Sequence, residues 1–301
     1  MFKSKKEENK ERMISIFLWI LVDAGSLNKS LPIRLQINRI YKMKKLIFLL
    51  LGVMIISCSG GPKPKFHDNI VIAHRGAWKA KDLPQNSLAS LKEAIAIGAH
   101  GSEFDVHITA DDSMVVNHDD DFNGMLIEET TYGDLVKVKL PNGEKLPTLR
   151  EYLAEGMKQK TTKLILEIKK AEDQERTLEL TRDAVALVKK MNAEKWVDYI
   201  TFDYEAGKLV HELAPNAEIA YLNGDVAPAT AKADGYTGLD YHFSKYKENP
   251  DWISQAHNIG LSINAWTVNT EEDMKYLIDQ NAEFITTNEP ELLLQLLNNA
   301  K

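Results

Sequence analysis

Two acidic residues, Glu103 and Asp105, lie two positions apart in a run of otherwise apolar residues. On a β-strand, residues at this spacing face the same side, while Phe104 and Val106 face the other side. Two carboxylates on one face repel each other, and one of them holds a proton unless a cation intervenes. A divalent ion, which prefers hard oxygen ligands, resolves this repulsion. Because solvated charge pairs show the same spacing, the hypothesis of a metal site needs further ligands.

A second apolar run, Leu164–Ile168, offers such a ligand. Glu167 and Lys169 are again two residues apart, so Glu167 can complete a set of three carboxylates and Lys169 can offset their charge. Arg75 follows the first apolar run and carries the planar guanidinium that suits phosphate oxygens. Three carboxylates, a divalent ion, a phosphodiester and these two cations together have no net charge. The set therefore predicts an anionic phosphate ligand.

Three other side chains allow two interpretations each. His74 precedes Arg75, and a lone histidine is more often structural than catalytic. His118 stands beside Asp119, a pair that alone is typical of a surface turn. Trp266 is equally compatible with a pocket wall and with the core.

The residues that could do chemistry follow short apolar runs, which alternate with amphipathic helical segments from Asn69 onward. The predicted strands are Ile70–Ala73, Gly101–Ile108, Leu164–Ile168, Tyr199–Phe202, Glu218–Leu222, Gly238–Tyr241, Ser262–Thr267 and Phe284–Thr287. Such alternation predicts a parallel sheet covered by helices. Eight strands favour an α/β fold of the (β/α)8 TIM-barrel type over an open doubly wound sheet. No Gly-x-Gly-x-x-Gly follows the first strand, as a dinucleotide-binding fold would require.

In a barrel of this type, catalytic residues lie where strands end and loops begin. The turn-rich segment 119–146 interrupts the alternation and is predicted to be a small insertion over the barrel mouth. The barrel domain is expected to span residues 69–301.

The N-terminal region predicts export. Met43 is followed by two lysines, by the eleven apolar residues Leu46–Ile56 and by Ser57-Cys58. The apolar run is shorter than the about 20 residues that cross a bilayer, and the order matches a bacterial lipoprotein signal. We expect a signal peptide at 43–57, a lipid on Cys58, a flexible tether at 58–68 and attachment to a membrane of the bacterial cell envelope. A buried first helix is the alternative.

Residues 1–42 do not fit this scheme, because they precede a complete signal with its own methionine. They are explained best by a start codon assigned too early, so that translation begins at Met43. A cytoplasmic extension is the alternative.

Composition excludes two classes of site. The chain has 37 basic and 44 acidic residues and a net charge of −7, which argues against broad nucleic-acid binding. Cys58 is the single cysteine, so neither an intrachain disulfide nor a cysteine-based metal cluster can form.

Several blocks, in order along the chain, resemble the glycerophosphodiester phosphodiesterase family. They are His74-Arg75-Gly76, Pro84-Gln85-Asn86-Ser87, Gly98-Ala99, Glu103-x-Asp105-Val106, Thr109-x-Asp111, His118-Asp119, Glu167-x-Lys169, Trp266-Thr267-Val268-Asn269 and Thr286-Thr287-Asn288. The resemblance runs from about Ile70 to Leu294, so it covers nearly all of the predicted mature chain.

The resemblance implies a TIM barrel that binds Ca²⁺ or Mg²⁺. It implies roles for seven residues: metal ligands at Glu103, Asp105 and Glu167, an acid/base pair at His74 and His118, and phosphate contacts at Arg75 and Lys169. Trp266 is a candidate for substrate contact. The block that usually reads Pro-Glu-Asn-Thr departs from the family pattern, because Gln85 replaces the glutamate and loses its charge. Gln85 is therefore not assigned to the metal.

The expected reaction is metal-assisted hydrolysis of a glycerophosphodiester to glycerol 3-phosphate and an alcohol. One histidine takes a proton from the attacking hydroxyl and the other protonates the leaving alcohol. The glycerol 2-hydroxyl is a candidate nucleophile, giving a cyclic phosphate that water then opens. The sequence does not decide which histidine is the acid; His118 as base and His74 as acid is the working assignment.

Three rival functions stay open. A phospholipase-type phosphodiesterase would act on intact lipids and would show an apolar, aromatic rim at the barrel mouth. A non-catalytic ligand-binding barrel would have lost one of the acid/base or metal positions. A metal-dependent sugar isomerase would leave Arg75 and Lys169 without a role.

Overall fold

The computed structural model of the chain describes residues 64–299. The strands of this region are β1 (Val71–Ala73), β2 (Gly101–Ile108), β3 (Met114–Val116), β4 (Asp121–Phe122), β5 (Met125–Leu126), β6 (Lys163–Ile168), β7 (Val197–Thr201), β8 (Ile219–Tyr221), β9 (Gly238–His242), β10 (Ser262–Trp266) and β11 (Phe284–Thr287). Strands β1, β2 and β6 to β11 run parallel, each hydrogen-bonded to the next. Strand β1 pairs with both β2 and β11 and closes the sheet. The predicted (β/α)8 TIM barrel is confirmed.

Helices cover the outside of the barrel. They are α1 (Leu88–Ala96), α2 (Tyr132–Leu135), α3 (Leu149–Gly156), α4 (Gln174–Met191), α5 (Tyr204–Leu213), α6 (Pro228–Ala233), α7 (Phe243–Glu248), α8 (Trp252–Asn258), α9 (Glu271–Asp279) and α10 (Pro290–Asn299), with a short 3-10 helix at Lys79–Lys81. Within residues 64–299, none of these helices has the length and apolar character needed to cross a bilayer.

Local sequence signals place several helix starts. Ser87 caps α1 and Thr148 caps α3, each in a capping box in which the residue at the third helical position bonds back to the cap. Thr270 caps α9 by accepting a hydrogen bond from the backbone N of Asp273. These caps satisfy N–H groups that have no partner inside the helix.

Alternating side chains divide the apolar residues into two layers. Outward-facing residues such as Phe104 pack under the helices, where its ring stacks on Tyr152 with centroids 4.2 Å apart. Inward-facing Ile72, Ile165 and Ile200 form a separate cluster inside the barrel. The same alternation turns Glu103 and Asp105 inward.

The insertion rises from the C-terminal end of β2, the end at which barrel active sites lie. The last residues of β2 extend past the barrel and pair antiparallel with β3. Between β3 and α3, the chain forms β4, β5 and α2 around its own apolar cluster, which consists of Val115, Phe122, Ile127, Leu135 and Leu146.

The chain enters the barrel at the opposite, N-terminal end of the strands. The backbone N of Lys65 donates to Lys160 O and that of His67 donates to Thr161 O, both at 2.8 Å. The predicted tether extends too far, because residues 65–67 are bound to the barrel by backbone hydrogen bonds. The predicted extension 1–42, signal peptide 43–57 and Cys58 lie outside the described residues.

Replacing Gly207 or Gly133 with alanine should change the stability of the fold in opposite directions. A methyl group on Gly207 of α5 would overlap the phenol ring of Tyr236, which is buried and whose hydroxyl donates to Tyr204 O. We expect Gly207→Ala to lower the free energy of unfolding by about 1–3 kcal/mol through overpacking. A methyl group on Gly133 of α2 would make only an ordinary contact, with Thr131 Oγ1 at 3.8 Å, so Gly133→Ala should stabilise by about 0.5–1 kcal/mol. Urea unfolding of both variants measures this, and equal effects would contradict the packing at Tyr236.

Candidate active site

Three carboxylates meet inside the mouth of the barrel. Glu103 and Asp105 lie on β2, and Glu167 lies directly beside Asp105 in the register of β6. All three are buried, and one carboxylate oxygen of each lies within 4.8 Å of the other two. Glu103 Oε1 is buried and has no hydrogen-bond partner among the described residues. A buried acceptor without a donor, beside two other hard oxygen ligands, fits a divalent ion such as Ca²⁺ or Mg²⁺.

The proton affinities of these carboxyl groups diverge. Burial, with Asp105 and Glu167 nearby, raises the pKa of Glu103 well above its usual value. Burial and the charge of Asp105 raise the pKa of Glu167 to about 8. Burial alone would raise the pKa of Asp105 too, but the neighbouring cations, Lys169 foremost, hold it below its usual value. Without a metal ion, the cluster therefore retains protons at neutral pH that a divalent ion would displace.

Two cations flank the cluster. Lys169 Nζ lies 3.0 Å from Glu167 Oε1 and 3.3 Å from Asp105 Oδ1. Arg75 Nε lies 3.8 Å from Asp105 Oδ2, and the backbone N of Arg75 donates to Glu103 Oε2 at 2.7 Å. Both positive side chains are thus placed where an anion bound at the carboxylates would meet them.

Gln85 contacts Arg75 and is not part of the carboxylate cluster. Its Oε1 accepts a hydrogen bond of 2.7 Å from Arg75 Nη1. A glutamate at this position would form an ion pair with the guanidinium, whereas the neutral amide only orients it. The charge of Arg75 is consequently less compensated here than the usual family pattern would make it.

Asn86 is a positioning residue to which the sequence analysis gave no role. Its Nδ2 donates to Asp105 Oδ2 at 2.8 Å, and its Oδ1 accepts from the backbone N of Asp105 at 3.2 Å. The backbone of Asn86 is left-handed, with φ 56°, a conformation that asparagine tolerates better than most residues. Its place in the Pro84–Ser87 block was the available signal.

His74 extends from the end of β1 and is held by a second unassigned residue, Asn288. His74 Nδ1 lies 2.8 Å from Asn288 Oδ1, an oxygen that can only accept, so Nδ1 carries the proton. The unprotonated Nε2 then lies 4.0 Å from Glu103 Oε2. Burial, helped by the charge of Arg75, lowers the pKa of His74 to about 4, so the ring is neutral at pH 7.

His118 follows β3 and reaches the site from the insertion side. His118 Nδ1 lies 2.6 Å from Asp119 Oδ1, and the His118 side chain is 37% exposed. His107 Nε2 donates to the backbone O of His118 at 3.2 Å, which fixes this loop over β2. His118 therefore has a carboxylate partner at hydrogen-bond distance, whereas the hydrogen-bond partner of His74 is the neutral amide of Asn288.

A cavity of about 250 Å³ joins these groups, and its lining includes His74, Arg75, Glu103, His118, Glu167 and Trp266. Trp266 forms part of the wall: its ring lies edge-on to Phe202 and His242, and its Nε1 donates to Asp240 O at 2.8 Å. With Asp105 and Lys169 at the carboxylate cluster, the structure brings all eight residues predicted from the sequence to one end of the barrel.

Comparison with known proteins gives one consistent result. Residues 74–292 match the model of the Glycerophosphoryl diester phosphodiesterase family. A glycerophosphodiester phosphodiesterase of Caldanaerobacter subterraneus is 28% identical over 249 residues, which are 76% of this chain and 97% of that protein. Human glycerophosphodiester phosphodiesterase 1 is 35% identical over 136 residues, 38% of this chain and 40% of that protein.

Solved structures show the same similarity. A crystal structure of a glycerophosphodiester phosphodiesterase from Parabacteroides distasonis has a TM-score of 0.76 and 43% identity, covering 79% of this chain and 99% of that one. The structure of an Oleispira antarctica phosphodiesterase in complex with the product sn-glycerol-3-phosphate has a TM-score of 0.65 and 22% identity. The match covers 76% of this chain and 96% of that one, and it shows similarity of fold alone. Because the family model matches most of the chain and the solved structures agree with it, the chain belongs to the glycerophosphoryl diester phosphodiesterase family.

Proposed function

We propose that this enzyme hydrolyses glycerophosphodiesters to glycerol 3-phosphate and an alcohol, using one divalent ion and two histidines. The observation that carries the proposal is one cavity lined by both histidines, Arg75, Glu103 and Glu167, with Asp105 and Lys169 in contact with the same carboxylate cluster. Anionic and cationic groups in this ratio accept one divalent ion and one phosphodiester without leaving an uncompensated buried charge.

Glu103, Asp105 and Glu167 would hold the ion, with Ca²⁺ and Mg²⁺ as the candidates. When bound, the ion supplies Lewis-acid stabilisation of charge on the phosphate oxygens. Arg75 and Lys169 bind the same phosphate, and Gln85 orients the guanidinium by its hydrogen bond to Nη1. Trp266 forms a wall beside the substrate.

The two histidines divide the proton transfers. His74 is neutral and presents an unprotonated Nε2, so we assign it as the base that takes the proton of the attacking hydroxyl. His118, paired with Asp119, is assigned as the acid that protonates the leaving oxygen as its bond to phosphorus breaks. This reverses the working assignment made from the sequence, which had no information about burial.

The rival functions find less support. The two large hydrophobic side chains exposed among residues 64–299 are Leu126 and Ile259, which do not form an apolar rim for lipids. The larger cavity, about 650 Å³, that adjoins Glu167 has a mixed lining, in which acidic residues and lysines alternate with apolar side chains such as Ile108, Leu126 and Phe202. A non-catalytic barrel would lack a site residue, and none is missing. An isomerase would leave Arg75 and Lys169 unused.

We also propose attachment to a bacterial envelope membrane through a lipid on Cys58, with synthesis starting at Met43. The order of two lysines, an apolar run and Ser57-Cys58 after Met43 supports this proposal.

Adding a divalent ion to protein that has been freed of metal and chelator should stabilise the folded state. Ca²⁺ or Mg²⁺ at 100 times its Kd should add about 2.7 kcal/mol to the unfolding free energy, because the folded state alone carries the site. The added stability should grow from about pH 5 to about pH 8, since the ion competes with a proton on Glu167, whose pKa is raised to about 8. Differential scanning fluorimetry measures both effects.

Glu103→Gln is the matched control for this prediction. It should lose the metal-induced shift, yet melt no lower than the wild type in EDTA, because glutamine is neutral like the protonated Glu103 of the metal-free cluster and keeps an acceptor for the backbone N of Arg75. Hydrolysis should cease in excess EDTA. Full activity in EDTA, or a metal shift that survives Glu103→Gln, would show that the ion binds elsewhere or not at all.

Removal of either histidine should lower kcat by about 10²–10⁴. A p-nitrophenol leaving group needs little protonation, so His118→Ala should recover much of its rate on such a diester, while His74→Ala should not. Steady-state kinetics with glycerophosphoethanolamine and the p-nitrophenyl diester compare the two. Rescue of His74→Ala instead would restore the assignment made from sequence, and near wild-type turnover by either variant would refute the two-histidine mechanism.

Mass spectrometry of the native N-terminus tests the anchor. We expect a diacylated or triacylated Cys58 as the first residue, because cleavage of a lipoprotein signal precedes the modified cysteine. Cys58→Ser should release the enzyme from the membrane fraction with unchanged kcat. An unmodified Cys58, or peptides from residues 1–42 in the mature protein, would disprove the proposal.

A further inference from the structure

Asp240 is a buried acid at the bottom of the active-site cavity that the catalytic scheme does not use. It lies on β9, with neighbours Leu239 and Tyr241 packed outward under the helices, so its side chain points into the barrel. It is 1% exposed and lines the same cavity as His74 and His118.

Neither carboxyl oxygen of Asp240 has a hydrogen-bond partner among residues 64–299. The amide of Asn264 lies beside this carboxyl and partly offsets the effect of burial on its pKa, while Asn264 Nδ2 also donates to Thr286 Oγ1 at 2.9 Å. Trp266 Nε1 donates to the backbone O of Asp240, not to its side chain. No ion pair of the described region includes Asp240. Native proteins rarely leave both oxygens of a buried carboxyl unpaired, so these oxygens are available to a ligand that enters the cavity.

The surroundings make Asp240 a neutral hydrogen-bonding group. Its cavity neighbours include Ile200 and Leu222, and burial raises the pKa of Asp240 to about 8. A protonated carboxyl offers one O–H donor and one acceptor, the complement of an alcohol, and adds no negative charge near a phosphate. Arg75 and Lys169 hold the anionic part of the substrate, so an uncharged polar part remains to be bound.

We propose that the Asp240 carboxyl binds a free hydroxyl of the substrate's glycerol group and so selects glycerol-bearing phosphates over phosphates of simple alcohols. The inference rests on the proposed function for the phosphate-binding half of the cavity. The cavity of about 250 Å³ accommodates one small polyol phosphate, with the phosphate at the carboxylate cluster and the polyol towards β9. Trp266 and Phe202 bound the space between them.

Asp240 also borders a second cavity of about 410 Å³ at the opposite end of the barrel, whose lining includes Lys163, Asp198 and Phe284. A ligand on that side could satisfy the same carboxyl. The groups that bind phosphate in the proposed function, Arg75 and Lys169, line or adjoin the active-site end only. A polyol phosphate is therefore assigned to the active-site cavity, and Asp198 provides a control for the other one.

Binding of two ligands tests the proposal without requiring turnover. The dissociation constants of sn-glycerol 3-phosphate and n-propyl phosphate, which lacks both hydroxyls, are measured by calorimetry on the full chain with Ca²⁺ present. Asp240→Leu should weaken glycerol 3-phosphate binding by about 5- to 50-fold, the usual effect of losing a buried hydrogen-bond partner. It should change propyl phosphate binding by less than about twofold, since that ligand makes no such bond.

Asp240→Asn, which keeps a donor and an acceptor, should retain most of the preference for glycerol 3-phosphate. Asp198→Asn should leave both constants unchanged. The proposal would be overturned if Asp240→Leu weakened the binding of both ligands equally, or of neither. It would also be overturned if Asp198→Asn weakened glycerol 3-phosphate binding as much as Asp240→Leu does. If the leucine variant fails to fold, Asp240→Ala gives the same comparison. Because binding is the readout, absent diesterase activity would refute the proposed function while leaving this result interpretable.

Discussion

Mutual repulsion among three buried carboxylates is the constraint on which the rest of this site depends. Glu103, Asp105 and Glu167 converge because β2 and β6 are paired in a register that sets Asp105 beside Glu167. Their negative charge is tolerable only with compensation, which Lys169 and Arg75 provide from one side and a divalent ion would complete. In the proposed function, the same charge imbalance that makes the isolated cluster costly would be relieved when a divalent ion and an anionic ester bind together.

The polar side chains that surround this cluster mainly orient it. Asn86 bonds Asp105 through both ends of its amide, and Asn288 fixes the proton of His74 on Nδ1. His118 depends on the insertion, whose strand β3 is tied to β2 by antiparallel pairing and by the bond from Asn117 N to Asp105 O, 3.1 Å long. The extension of β2 beyond the barrel thus joins Asp105, a proposed metal ligand, and His118, the proposed acid, in one rigid element.

Burial gives similar side chains different functions. His74 is buried beside a guanidinium and is neutral, whereas His118 is partly exposed beside a carboxylate that can stabilise its positive charge. Asp105 is held ionised by its neighbours, whereas Asp240, on a strand three positions in the sheet from β1 and from β6, which precede Arg75 and Lys169, retains its proton. In the proposed mechanism, these different environments would let one fold supply acid, base and neutral donor at the same pH.

The sequence by itself determined the barrel, the cluster of carboxylates and the family, because periodicity, i to i+2 spacing and ordered motif blocks are local properties of the chain. Only the tertiary structure showed the contacts of Asn86 and Asn288, the burial of Asp240, the hydrogen bond of Gln85 to Arg75 and the burial of His74 on which its proposed role as base rests. Each of these depends on burial, or on a partner distant along the chain, as His74 and Asn288 are. The N-terminal tether was predicted too long for the same reason: a polar segment reads as flexible until residues such as Lys160, far along the chain, are seen to bind it.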